Sequence, residues 1–495
     1  VDPTRLSDDE LDAMIVALYV LANDDGTTMV RLIDTDVTVA QTSKLKDGTG
    51  TPGEVLGIDS YTIQQLVSDE VVTVLGAANI PDDSYVDPEK SRLKKSEIIS
   101  MIEAIEILNT TDPQTTLVQN VSTNDVTVDQ VSDLNALPSA ITKKIISDQI
   151  IDVLDPLDEG KIPVEGYDLV DPTRLSDDEL NAIVVALYVL ANNDGTTLVS
   201  AIDTDVTVLQ ATTLKDGTGT PGEIKGIDSY AIQQTVSDEI EVVLGTSNIP
   251  DSSYVNPLDP ANSRLLKSEI ENMIEAIAIL NTTDPATTLV ANVSTNTVTV
   301  GQTQELNALP SLITKKVISN AIIDAIDPLD EGKIPVTAYD LVDPTRLTDD
   351  EITKMLTALE VLADNDLDVV VTDIDTDQIT IGQVDDLSTL GSIIMDKTIS
   401  DAIIDSIDPL DEGKIPLTAY IDDNSSNNLE PAEVQEMINA LRILVDDNNP
   451  LTDPDDELVS SVDTTTIKIG QVSQMNLLNS EITAKLISDS IIDAI

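Results

Sequence analysis

Cysteine, histidine, tryptophan and phenylalanine are all absent from the chain, and tyrosine occurs only nine times in 495 residues. Each absence closes off a chemistry. Without histidine, the usual neutral-pH general base and the commonest zinc ligand are missing. Without cysteine there is no thiolate nucleophile, no iron–sulfur cluster and no disulfide. Basic residues are scarce as well: 26 Lys and Arg stand against 91 Asp and Glu, a formal charge of −65. A surface of that sign repels phosphates, so nucleic acid is not an expected partner. The longest apolar run, Ala182 to Ala191, has ten residues. A bilayer needs ~20, so no membrane span is expected. No basic stretch leading into an apolar core opens the chain, so no signal peptide is visible. The start at Val1 and the stop inside a repeat read as an excerpt from a longer protein.

What is present is an ordinary hydrophobic fraction of 41%, of which aromatics are 2% of the chain. The chain can therefore bury cores, and those cores are aliphatic. A highly acidic surface self-repels in low salt and is tolerated where divalent cations or high salt neutralise it. Those conditions are commoner outside a cell, so an extracellular or cell-surface location is expected.

Length alone suggests about three domains, but internal repetition divides the chain further. V-D-P-T-R-L at Val1 to Leu6 recurs at Val170 to Leu175 and Val342 to Leu347, 169 and 172 residues apart. Each long period is itself a doublet. Leu6, Leu93, Leu175, Leu265, Leu347 and Leu429 each carry a glutamate four residues on: Glu10, Glu97, Glu179, Glu269, Glu351 and Glu433. A second marker, V-T-V-x-Q or a close variant, ends at Gln41, Gln130, Gln210, Gln302, Gln383 and Gln471. The two markers define six modules, at residues 1–86, 87–168, 169–255, 256–340, 341–421 and 422–495, the last truncated.

Within a module the periodicities predict four elements. A helix such as Asp8 to Ala22 places Leu11, Met14, Ile15, Leu18 and Ala22 on one face. Ser7 with Glu10, Ser176 with Glu179 and Thr348 with Glu351 have capping-box spacing. The V-T-V segment alternates β-branched residues and predicts a short strand. A second helix follows, for example Ser139 to Leu154. A short extended segment, Ile162 to Val164 and its copies, contains a proline that suits an edge strand. The expected fold class is thus α+β: six tandem helix–strand–helix–strand modules in an elongated array. Tyr85, Tyr167, Tyr254, Tyr339 and Tyr420 fall at the junctions, either fixing the angle between modules or closing each module's own core.

The candidate chemistry lies in acidic junction loops. Asp422 to Glu433 resembles an EF-hand calcium loop, with Asp422, Asn424 and Ser426 at positions 1, 3 and 5, Leu429 at 8 and Glu433 at 12; Asn428 is a further oxygen donor. It departs from that pattern in having Asn427 where glycine is usual. Asp168 to Glu179 and Asp340 to Glu351 keep positions 1, 8 and 12 only. Their alternative reading is a loop ending in a helix cap, where acidic residues are expected without any metal. A second loop, D-P-L-D-E-G-K-I-P, is identical at Asp155, Asp327 and Asp408, with Asp158, Asp330 and Asp411 at position 4. It carries the glycine and isoleucine of a calcium loop but lacks the terminal glutamate, so a degenerate Ca2+ site and a plain acidic turn both fit. The pairs Asp34/Asp36 and Asp203/Asp205 and the series Asp373/Asp375/Asp377 either add ligands or form a solvated face.

Other patterns carry less. Gly48 to Gly53 and Gly217 to Gly222 match G-x-G-x-x-G, but proline interrupts the helix start that a phosphate loop needs, which favours a surface loop. Sequons at Asn109, Asn120, Asn281 and Asn292 matter only on a glycosylating surface. Acid pairs are too frequent for any one to mark a glycosidase, and no serine has a histidine to activate it.

In its near-identical segments and aliphatic, acidic modules the chain resembles the tandem-repeat stalks of giant prokaryotic surface proteins, adhesin-like or filament- and layer-forming. That resemblance implies a non-enzymatic structural array, stiffened by calcium at its junctions. Its partners would be neighbouring modules or copies of itself, or a surface protein or glycan ligand. Multivalent ligand-binding modules are the alternative.

Overall fold

The computed structural model describes residues 5–48, 54–87, 89–157, 160–217, 222–329, 332–408, 413–421, 428–445 and 453–495. Among these, the fold is all-helical. The expectation of an α+β fold is overturned: there is no sheet, and the β-type pairing consists of ten isolated antiparallel bridges.

Eighteen α-helices follow one another in six sets of three. The first set is α1 (Asp8–Leu21), α2 (Val39–Asp47) and α3 (Tyr61–Leu75); the second is α4 (Lys95–Leu108), α5 (Val128–Asn135) and α6 (Ala140–Leu154). Then come α7 (Asp177–Leu190), α8 (Val208–Asp216) and α9 (Tyr230–Leu244), and α10 (Lys267–Leu280), α11 (Val300–Asn307) and α12 (Leu312–Ile326). The last sets are α13 (Asp349–Leu362), α14 (Ile381–Ser388) and α15 (Ile393–Ile407), and α16 (Pro431–Val445), α17 (Ile469–Met475) and α18 (Glu481–Ala494). The chain divides into two compact units, Val1–Glu239 with Pro285–Val290, and Ile240–Asp284 with Ala291–Ile495.

The V-T-V segments are not strands but the starts of the middle helices. Thr38 is the N-cap of α2, with extended backbone at φ −80° and ψ 160°, and its hydroxyl accepts from Gln41 N. The Gln41 carboxamide oxygen accepts in return from Thr38 N at 2.9 Å, which completes a capping box. Val37 and Val39 are both buried. The alternation of the sequence thus arises from one extended cap residue held between two buried valines.

The proline segments are corrected likewise. Ile162 is buried, Pro163 precedes a short 3-10 turn at Val164–Gly166, and Val164 is solvent-exposed. Proline fixes φ near the value that such a turn needs at its start. The helices after the leucines do begin at Ser7, Ser176 and Thr348, whose hydroxyls accept from the N–H groups of Glu10, Glu179 and Glu351. The glutamates do not complete the box; their carboxylates are used elsewhere.

Successive modules inside a unit are joined by a repeated backbone contact. In the first unit Thr38 bridges Leu117 and Thr127 bridges Leu198; in the second Thr299 bridges Val370 and Thr380 bridges Leu458. At the first of these, Val39 N donates to Thr116 O at 3.0 Å and Val118 N to Val37 O at 2.9 Å. The junction tyrosines form the other bridges. Tyr85, Tyr167, Tyr254, Tyr339 and Tyr420 pair through their backbones with Leu93, Leu175, Leu265, Leu347 and Leu429, all five leucines being buried.

Candidate functional site

The residues repeated in every module are polar and buried, and they converge on helix ends. Glu179 on α7 is 2% exposed and accepts from Ser229 Oγ at 2.7 Å, Tyr230 N at 2.8 Å and Ala231 N at 2.9 Å. These are the cap and first N–H groups of α9, donors that a helix cannot satisfy internally. A carboxylate there also meets the positive end of the helix dipole. Glu10 does the same for Ser60, Tyr61 and Thr62 at α3. Glu97 serves Ser139 at α6, and Glu269 serves Ser311 at α12. Glu351 serves Ser392 and Ile394 N at α15, and Glu433 serves Ser480 and Glu481 N at α18. Burial alone would raise the Glu10 carboxyl, but the hydrogen bonds from Ser60, Tyr61 and Thr62 outweigh it and hold the group below the ordinary glutamate value.

The glutamines tie the middle helix back to the first. Beyond its capping box, Gln41 Nε2 donates to Leu21 O at 3.2 Å, and Gln302 Nε2 to Ile279 O at 2.9 Å. Carbonyls left open at the helix C-terminus are thereby satisfied. A third polar position couples each module to the next. Ser147 Oγ on α6 accepts from Leu175 N at 3.0 Å, and Ser68, Ser319 and Ser400 accept from Leu93, Leu347 and Leu429 in the same way.

The acidic loop residues are placed as follows. Asp155 ends α6, is buried, and its Oδ2 accepts from Gly160 N and Lys161 N at 3.0 Å each. Asp327 holds Gly332 N and Lys333 N, and Asp408 holds Lys414 N at 2.8 Å. Asp158, Asp330 and Asp411 lie outside the described residues. Asp168 accepts from Val170 N and Asp171 N, and pairs with Arg174 at 2.5 Å. Asp340 repeats this with Val342, Asp343 and Arg346. The backbone N–H groups hold both aspartates below the usual carboxylate range. Asp34, Asp203 and Asp375 each accept from the backbone N–H two residues on. In the loop that resembles an EF-hand, Asp422, Asn424 and Ser426 lie outside the described residues; the Asn428 Oδ1 has no hydrogen-bond partner among those described, and Glu433 faces Ser480. No group of three or more acidic side chains among the described residues is arranged to hold a metal. The glycine-rich stretches 49–53 and 218–221 also fall outside them.

The open spaces of the surface are polar clefts. One in the first unit, about 390 Å³, is bounded by Leu75, Asn79, Asn124, Asp148 and Asp152. One in the second, about 270 Å³, is bounded by Leu244, Asn248, Asn296, Asn320 and Asp324. These residues occupy equivalent positions in the doublet repeat, so the two clefts are copies. They differ in charge: Lys144 pairs with Asp148 in the first, whereas Asn320 donates to Asn248 at 3.3 Å in the second.

The serines Ser60, Ser139, Ser229, Ser311, Ser392 and Ser480 were not picked out by sequence reasoning. Their recurrence at one helix start per module was a usable signal. Their pairing with the glutamates was not, because the separation varies from 41 to 50 residues. No protein-family model, curated protein or solved structure matches the chain. No helix among the described residues is long and apolar enough to cross a membrane.

Proposed function

We propose that the chain is a non-enzymatic structural repeat array, exposed at a cell surface and stabilised by cations. One observation carries this reading. The polar residues that recur in every module, glutamate and glutamine, are spent on helix ends, and the serines of the third helices on the following module. A repeated catalytic or binding residue would instead leave its reactive atoms free toward solvent. Calcium enters as the cation that neutralises a charge of −65 and stiffens the junction loops. On the Asp422–Glu433 loop it would compete with Ser480 for Glu433. Thermal melts of the whole chain in calcium, in chelator, and in NaCl at matched ionic strength test the proposal. A higher midpoint in calcium than in matched NaCl is expected. Equal midpoints in both salts would remove calcium and leave general screening.

The duplicated clefts favour a second reading, multivalent binding of a glycan or protein ligand. Tyrosine is the only aromatic residue in the chain, and no tyrosine lines either cleft, so carbohydrate stacking has no platform there. A glycan array probed with the whole chain is expected to stay silent. A ligand binding once per doublet would replace the array reading.

A further inference from the structure

We propose that the chain associates head to tail with a second copy of itself, module six of one copy covering module one of the next. The inference rests on the array reading above and names its partner. Its basis is the contact that already joins successive modules inside each unit. There, the residue following the bridging threonine is buried under the next module's loop: Val39, Val128, Val300 and Ile381 are each at most 1% exposed. The answering side is equally covered. Val118, Val199, Val371 and Val459, each one residue past the bridge, are also at most 1% exposed.

Each end of the chain carries one half of this contact uncovered. Ile469 stands where those buried residues stand, yet it is 88% exposed. Val30 stands where the answering valines stand, yet it is 65% exposed. The surroundings follow suit. Leu11, 46% exposed, corresponds to Ile98, Leu180, Ile352 and Val434, all at most 7% exposed. Ile491, 46% exposed, corresponds to Val71, Ile150, Ile322 and Ile403, all fully buried.

The backbone groups match as well. Inside the units the contact is closed by two hydrogen bonds, for example Val300 N to Val369 O and Val371 N to Val298 O, both 2.9 Å. The equivalent donors at the ends, Ile469 N and Val30 N, have no partner among the described residues. The tail therefore offers apolar side chains and a donor, and the head offers the complementary set, in the register that the chain already uses. The bridge is made by backbone, so Lys468 in place of the usual threonine does not remove it. A heterologous contact of this kind does not close on itself with two copies, so it builds open chains.

Sedimentation velocity of the whole chain tests this, in about 0.5 M NaCl so that the negative charge is screened. A concentration series should reach the hundreds of micromolar. The weight-average mass is expected to rise with concentration. Val30→Asp blocks the head and Ile469→Asp blocks the tail; both sites are exposed in the single chain, so neither change disturbs its fold. Each variant alone is expected to associate at least about tenfold more weakly, because docking would bury an unpaired carboxylate. Mixing the two variants should restore a dimer that grows no further, since one retains a tail and the other a head. A wild-type chain that stays monomeric throughout would overturn the proposal, as would variants that associate like the wild type. Monomeric behaviour with a silent glycan array would leave the array reading standing, whereas glycan binding would remove that reading whatever the association state.

Discussion

The buried glutamate is the residue on which each module turns. It sits on the first helix and is consumed at the start of the third, so it joins elements that are distant in sequence. The Ser229 hydroxyl and the N–H groups of Tyr230 and Ala231 have Glu179 as their acceptor. Glu179→Ala would strand them in a buried setting, at about 1–3 kcal/mol for each group left unsatisfied. The urea midpoint of this variant is expected to drop clearly, and to the same extent in chelator as in calcium. A drop confined to calcium-containing buffer would instead make Glu179 a ligand. The aspartates Asp168 and Asp340 follow the same economy, because each turns its carboxylate onto its own loop's backbone.

Among elements, the close approach of the first helix to the short turn ahead of the third explains a repeated alanine and glycine. Ala186 on α7 is fully buried, and a Cβ added at Gly226 would lie 3.2 Å from its Cα and 2.4 Å from Leu214 Cδ2. Gly57 meets Ala17 and Leu45 in the same way. Gly226→Ala would force α7, α8 and that turn apart, and overpacking of this kind costs about 1–3 kcal/mol. A lowered denaturation midpoint is expected, and an unchanged one would show that the helices part freely. The middle helices teach a different lesson. V-T-V-x-Q carried a capping box in its threonine and glutamine, but its period-two valines pointed to a strand. Two alternating valines are too few to distinguish a strand from a cap flanked by buried neighbours.

At the scale of the molecule, charge sets the pH response. Burial pushes the carboxyls of Asp148, Asp238, Asp396 and Asp401 upward. For these groups the folded chain binds protons more readily than the unfolded one, so acidification adds stability. Loss of net negative charge works in the same direction. Glu10, Asp168 and Asp340 are held down, and the hydrogen bonds from Thr465 and Thr466 hold Asp463 down to about 2. Their contribution is present above the ordinary carboxylate values and is lost as the pH falls through the lowered ones. Stability is therefore expected to rise from pH 7 toward about 5 and to fall again below about 4, the range where ordinary carboxylates titrate. Urea midpoints measured across that range check it, and a steady decline from neutrality would contradict it.

The repeat period, the aliphatic core, the first and third helices and their serine or threonine caps were determined by the sequence alone. All of these depend on contacts within a few residues or on copies that can be laid side by side. Only the tertiary structure decided where the repeated glutamates and glutamines point, that V-T-V opens a helix, and that a bridge from one module lands on the next. Those outcomes depend on partners 20 to 80 residues away, as in Gln41 with Leu21 or Thr38 with Leu117. Local spacing cannot separate an acid that caps a distant helix from one that waits for a metal. Burial and hydrogen-bond geometry can, because an acid that already holds three donors has little left to offer a cation.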